Sequence, residues 1–296
     1  MQYRSTWMMT RALLCLCVAL FTAGCAGRMF YHPDHHVYRL PSERDLDYED
    51  VSFESTDGVK LHGWFVKAQG EARGTVLHFH GNAQNMTAHF GFVDWLPARG
   101  YNVMVFDYRG YGQSAGHPTR KGLYLDGLAA LRYAQARQNV EGLPLYVLGQ
   151  SLGGAVALSV LGRNPDIRVN AAAIDSSFYS YRSAVRDKIG QMPGLRHIRW
   201  PLSMVVVGNS YSPGPVVGRI SPTPLLFICG TADQVVSFRH SQALYEAAKE
   251  PRFFWLLGDA DHAEAFVRLR DEFADPLVEF FELSATEQGH SSAPHP

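Results

Sequence analysis

Three residues carry side chains that together could perform acyl transfer: Ser151 in Gly149-Gln150-Ser151-Leu152-Gly153, Asp233 in GTADQVV and His262 in GDADHAEAF. A serine hydroxyl is a poor nucleophile until a base takes its proton, and the base needs a third group to fix its tautomer and orientation. His262 is the best base. His78 and His80 precede the serine, while His197, His240 and His290 fall in insert, helical and tail contexts. Asp233 is the best orienting acid, with Asp175 as the alternative; Asp259 and Asp261 stand too near His262 in sequence. The negative charge of a tetrahedral intermediate needs two fixed donors. One is the Leu152 backbone N–H, immediately after the serine. The other is the Asn82 backbone N–H, in a loop where Gly81 permits close approach.

These groups work only if the backbone delivers them to one place. Leu145–Leu148 is a short apolar, β-prone run, and Ala155–Leu161 suits a buried helix, so Ser151 falls at a strand-to-helix junction. A sharp turn there lifts the serine clear of the sheet, and small flanking residues let strand and helix pack closely. The helix's first N–H groups then face developing negative charge. Upstream, VSFEST and KLHGWFVKA alternate around Asp57-Gly58, a hairpin signal. TVLHFHGNAQN and YNVMVFDYRG predict strands, with a helix over MTAHFGFVDWLPARG stopping at Gly100. A second helix is expected over TRKGLYLDGLAALRYAQAR. Downstream, VNAAAIDSS, TPLLFICGTAD and RFFWLLGDADH predict strands, and SFRHSQALYEAAKE and AEAFVRLRDEFADPLVEFFEL predict helices. Alternation of this kind argues an α/β fold: a mostly parallel central sheet with helices on both faces. Ser151, Asp233 and His262 each follow a predicted strand, at the edge where such sheets hold ligands.

Residues 178–219 break the rhythm with aromatics, basic residues, Gly and Pro, and are a candidate small cap. Two patterns invite other chemistry. His78 and His80 share one strand face, as metal ligands can, but no third or fourth ligand accompanies them, so no metal is expected. Gly110-Tyr111-Gly112-Gln113-Ser114-Ala115 fits a dinucleotide fingerprint, yet Gly116-His117-Pro118 follows where the helix should open, so no cofactor is expected either.

The 296 residues are 46% hydrophobic and 19% charged with a formal net charge of −1, which suits one large α/β domain and offers nucleic acid no electrostatic attraction. Residues 1–24 read as a signal peptide, with Arg4 and Arg11 ahead of ALLCLCVALFTAG, a stretch short for a bilayer span. Thr22-Ala23-Gly24-Cys25 resembles the lipobox of bacterial lipoproteins. That resemblance implies lipidation at Cys25, membrane attachment and a place in the bacterial cell envelope, the outer membrane being favoured by Ala26. Residues 25–48 then read as a lipidated N-terminus and a tether with local packing, His32, His35 and His36 lying in solvated linker. Residues 49–283 form the domain, and 284–296 a polar, disordered tail. Cys15 and Cys17 leave with the signal, and Cys229 reads as a buried small hydrophobe.

Together HGNAQN, DYRGYGQSAGHPT, GQSLGG, GTADQVV and GDADH resemble the α/β-hydrolase superfamily, most closely its serine-aminopeptidase-like subgroup, which includes depalmitoylases. The resemblance spans roughly residues 49–283. It implies the α/β-hydrolase fold, Ser151 as nucleophile, Asp233 and His262 completing a triad in the superfamily's chain order, and Asn82 and Leu152 as oxyanion donors. The expected reaction is cleavage of an acyl ester or thioester. A peptidase or amidase is the alternative, and a catalytically silent, lipid-anchored binding protein the reading from another class.

Overall fold

Apolar and alternating runs, joined by turns and helices, give the eight strands of the main sheet: β1 Tyr48–Glu54, β2 Lys60–Val66, β3 Gly74–Phe79, β4 Tyr101–Phe106, β5 Leu145–Gln150, β6 Ala171–Asp175, β7 Leu225–Gly230 and β8 Arg252–Leu257. They form one sheet in the order β8-β7-β6-β5-β3-β4-β2-β1 in the computed structural model, which describes residues 30–291. Every pairing from β8 to β4 is parallel, while β2 runs antiparallel to both β4 and β1. The β1–β2 hairpin turns at Gly58, whose φ of 81° suits a residue without Cβ.

Because successive strand residues point to opposite faces, the sheet carries a core on each side. On one side Leu77, Phe79, Met104, Phe106, Val147 and Phe227 meet α1 (Arg120–Glu141), α2 (Leu152–Leu161) and Leu244 of α5 (Arg239–Ala247). On the other, Val76, Val103, Val105, Leu148 and Ile228 meet residues 86–99 and α6 (Arg270–Ser291). The central parallel strands are buried along their whole length, which is why they read as continuous apolar runs. Among the described residues no helix is long and apolar enough to cross a membrane.

Four expectations need correction. The single helix predicted over residues 86–100 is three short turns: Met86–His89, Phe90–Phe92 and Pro97–Arg99. Phe90, Val93 and Leu96 are buried all the same, so tertiary packing satisfies the apolar spacing without a continuous helix. Asp94 is held there by Arg44 (3.0 Å) and Arg270 (3.2 Å), from opposite ends of the chain. The tether with local packing expected over residues 25–48 is, where described, a packed arm rather than a solvated linker. Tyr31 is buried, and His32–Pro33 pairs in parallel with Ala83–Gln84. The last helix begins at Arg270, because residues 261–264 form a turn in which the Asp261 N–H donates to the Glu264 carboxylate (2.8 Å) and Ala263 adopts a φ of 55°. The tail placed at 284–296 is helical as far as Ser291, with Ser284 buried and its hydroxyl donating to the Phe280 carbonyl (2.7 Å). Residues 1–24, Cys25 and residues 292–296 lie outside the described residues.

The candidate cap is a helical hairpin, α3 (Tyr181–Gln191) and α4 (Arg199–Val206). Ser180 caps α3 by accepting from the Ser183 N–H. The hairpin is tied down beside Asp233: Lys188 Nζ donates to the Gln234 carbonyl (3.3 Å), and Asp187 pairs with His240 (3.0 Å).

Candidate active site

At the end of β5 the chain turns abruptly into α2, with Ser151 at φ 52° and ψ −114°. A non-glycine residue pays strain in that region, and the packing around it holds it there. A Cβ on Gly149 would lie 2.6 Å from Gly154 Cα, and one on Gly153 2.0 Å from the Phe79 carbonyl oxygen, so both glycines are needed where helix and strand cross. The Ser151 hydroxyl does not cap the helix, and Leu152, the first helical residue, has an N–H with no intrahelical acceptor. The hydroxyl and that donor are therefore presented together at the sheet's C-terminal edge.

Asp233 and His262 follow β7 and β8, and they meet. His262 Nδ1 lies 2.7 Å from Asp233 Oδ2, whose carboxylate is fully buried. Asp233 Oδ1 accepts from the N–H groups of Val235 and Val236, both at 2.8 Å. All three contacts suit an acceptor-only carboxylate. Asp261 brackets the same two loops, accepting from the Gln234 N–H (3.1 Å) and the His262 N–H (2.7 Å), and these bonds lower its pKa.

The end of β6 stitches the serine's turn to the histidine's loop. The Ser151 N–H donates to the Asp175 carbonyl (2.8 Å); the next hydroxyl, Ser176 Oγ, accepts from the Ala263 N–H (3.0 Å) and donates to Asp175 Oδ1 (2.9 Å). Asp175, the alternative acid, is thus near His262 but engages it through Ser176 and Ala263. Burial pushes its carboxyl up to about 7, with the charge of Asp233 adding to the shift. Between about pH 4 and 7 the folded protein keeps this proton while the unfolded chain has lost it, so ionising Asp175 costs stability as pH rises through that window. Asp175→Asn, a neutral mimic of the acid, is expected to gain in thermal midpoint over wild type progressively from pH 5 to pH 8. Differential scanning calorimetry across that range checks it, and a constant difference would count against the shift.

The Asn82 loop is held from three sides. The Asn82 amide donates to the Phe30 carbonyl (2.6 Å), and the Tyr111 hydroxyl donates to the Asn82 carbonyl (2.8 Å). His89 spans from the Ala83 carbonyl (2.9 Å) to the Gln150 side chain (2.8 Å), beside a Gly81 on which a Cβ would lie 3.0 Å from the His89 ring. Burial lowers the pKa of His89, and the nearby His262 adds to the effect. No sequence signal gives His89, Gln150, Tyr111 or Ser176 a role at this site. His89 lies 61 residues from Gln150, inside an apparent helix, and no spacing links the two.

His78 and His80 are structural. His78 is buried against Phe92, with burial pulling its pKa down to about 3, and His80 is held well below its ordinary value by the same cause. Among the described residues no group of three or more His, Cys, Asp or Glu could hold a metal. The Gly110–Ala115 segment is a turn well before α1, and a Cβ on Gly112 would meet the Asp107 carboxylate at 1.9 Å. Arg109 joins Asp126 (2.8 Å) to Asp57 (2.7 Å), pinning the hairpin turn to α1.

Residues 70–215 match the family model described as serine aminopeptidase, S33. The chain is 38% identical over 265 residues to the uncharacterized protein YfhR of Escherichia coli, covering 88% of each. It is 33% identical to the α/β hydrolase domain-containing protein WAV2 of Arabidopsis thaliana, across 72% of this chain and 71% of that one. Among solved structures, an esterase of Pyrococcus furiosus superposes with a TM-score of 0.68 at 25% identity, over 86% of this chain and 97% of the esterase. With its eight-stranded sheet and the elbow at Ser151, the chain belongs to the α/β-hydrolase superfamily and is a hydrolase by its relatives and its esterase neighbours.

Proposed function

We propose that the protein cleaves carboxylic esters or thioesters through an acyl-enzyme on Ser151. His262 takes the serine proton as the hydroxyl attacks the acyl carbon, then delivers it to the leaving oxygen or sulfur. Water, deprotonated by the same imidazole, attacks the acyl carbon and frees Ser151. Asp233 holds the Nδ1–H tautomer, leaving Nε2 to work on the serine. The N–H groups of Leu152 and Asn82 receive the negative charge of the tetrahedral intermediates. The observation that carries this reading is the 2.7 Å contact of His262 with Asp233, on a loop stitched through Ser176 to the strained Ser151 turn.

A panel of matched ester, thioester and aminoacyl-amide substrates tests it. Ester or thioester turnover should exceed amide turnover by orders of magnitude, and the reverse order would make the protein a peptidase. The same reading includes a diacylglyceryl anchor on Cys25 in a bacterial envelope, supported by Thr22-Ala23-Gly24-Cys25. Mass spectrometry of the native N-terminal peptide should find the modified cysteine; a chain retaining residues 1–24 would refute it.

A further inference from the structure

The helical hairpin carries apolar side chains that the domain does not use. Phe178 and Tyr181, at its base, are buried and pack on one another. Farther out, Met192, Ile198, Trp200, Met204, Val205 and Val206 are all exposed, Trp200 by 58% and Val205 by 82%. A cluster of large apolar groups on one short hairpin marks a contact surface.

Two observations identify what it contacts. The first is charge. Residues 181–211 contain Arg182, Arg186, Lys188, Arg196 and Arg199 against a single acid, Asp187, in a chain whose formal net charge is −1. Arg186 lies over the Trp200 ring, 4.1 Å from its centroid, so cation and aromatic share the same surface. Exposed apolar side chains interleaved with basic ones, tryptophan among them, are the composition of segments that lie in the headgroup region of anionic bilayers.

The second observation is where the chain enters the domain. Phe30 packs on Tyr181, the first residue of α3, with ring centroids 5.6 Å apart. The hairpin returns to the same place, since the Arg182 N–H donates to Asn209 Oδ1 (3.2 Å) just beyond α4. The apolar run Ala12–Gly24 is separated from Phe30 by only residues 25–29. The six steps from Gly24 to Phe30 reach about 22 Å at most when fully extended. An acyl group on Cys25, or the apolar run itself where it is retained, would therefore bring the base of this hairpin close to a bilayer.

We propose that the α3–α4 hairpin docks on the surface of an anionic phospholipid bilayer, with Trp200, Met204 and Val205 in the headgroup region and Arg196 and Arg199 on lipid phosphates. The Lys188 contact to the carbonyl of Gln234 then holds the loop of Asp233 next to the membrane face. This surface is independent of the acyl chemistry proposed for Ser151, and its test reads no activity.

The full chain is reconstituted into vesicles whose lipids carry bromine on their acyl chains, either phosphatidylcholine alone or phosphatidylcholine with phosphatidylglycerol. The emission of Trp200 is obtained by subtracting that of Trp200→Phe. It should be quenched at least about twofold in the anionic vesicles and much less in the zwitterionic ones. Arg196→Glu with Arg199→Glu should abolish the difference, and an unchanged thermal midpoint shows that this variant is folded. Trp200 emission left unquenched, or quenched equally in both vesicles, overturns the proposal. A dimer in detergent that Trp200→Glu dissolves, with no lipid quenching, gives the face to a second copy of the chain and overturns it as well.

Discussion

Ser151→Ala is expected to lower turnover by ~10⁴–10⁶ while leaving the thermal midpoint nearly unchanged. The second half of that statement follows from the local geometry. Alanine keeps the Cβ, so the backbone at φ 52° and ψ −114° is no more strained than before. The hydroxyl makes no capping bond to α2, and the Ser151 N–H still donates to the Asp175 carbonyl. The helix behind the turn is buried throughout and loses no contact. Only the oxygen goes, and with it the atom that would carry the acyl group. The residual rate would come from the Leu152 and Asn82 donors acting on a bound substrate attacked by water. Fluorophosphonate labelling followed by mass spectrometry measures the loss directly. Labelling that persists in the alanine variant would mean that another side chain is the nucleophile.

The residues that meet at this site were legible in the sequence because each follows a strand whose apolar run is uninterrupted. β5, β7 and β6 between them are covered on both faces, so their sequences read as mostly apolar runs without alternation. Knowing where those strands end was enough to put Ser151, Asp233 and His262 on one edge. What the sequence concealed were contacts between distant segments. Residues 86–99 satisfy a helical pattern of burial while Asp94 is pulled toward Arg44 and Arg270, and no local propensity encodes that competition. The arm before β1 looked like linker because its order comes from two-residue pairing with Ala83–Gln84 and from single polar contacts such as Asn85 to Asp34 (2.7 Å). In the insert the composition was visible but its direction was not. Phe178 and Tyr181 turn inward, whereas Met192, Trp200 and Met204 turn outward, and the same aromatic richness would have suited either.

The choice between two buried acids leads to the second large effect. Asp233→Asn should reduce kcat/KM by about 10⁴, whereas Asp175→Asn should cost far less. In the wild-type protein Asp233 accepts three hydrogen bonds, from Val235, Val236 and His262. An asparagine can keep its oxygen on the two backbone N–H groups, which are fixed by the loop. Its NH2 then faces His262 Nδ1 and forces that nitrogen to accept, moving the ring proton to Nε2. An imidazole protonated at Nε2 cannot take a proton from Ser151. Rotating the amide would set the NH2 against two backbone donors and leave them unsatisfied beside a buried group, which costs about 1–3 kcal/mol, so the inactive tautomer is the one retained. At Asp175 the carboxyl receives one hydroxyl bond, from Ser176, which an asparagine oxygen also accepts. Its link to His262 passes through the Ala263 N–H and does not involve the ring nitrogens. Two measurements separate the cases: kcat/KM for both variants at matched thermal stability, and the imidazole nitrogen chemical shifts of His262. Asp233→Asn should shift the His262 proton from Nδ1 to Nε2 and Asp175→Asn should not. If Asp175→Asn proves the more damaging of two equally folded proteins, then the carboxylate that orients His262 in the reaction is Asp175, and the 2.7 Å contact with Asp233 belongs to a resting arrangement that catalysis abandons.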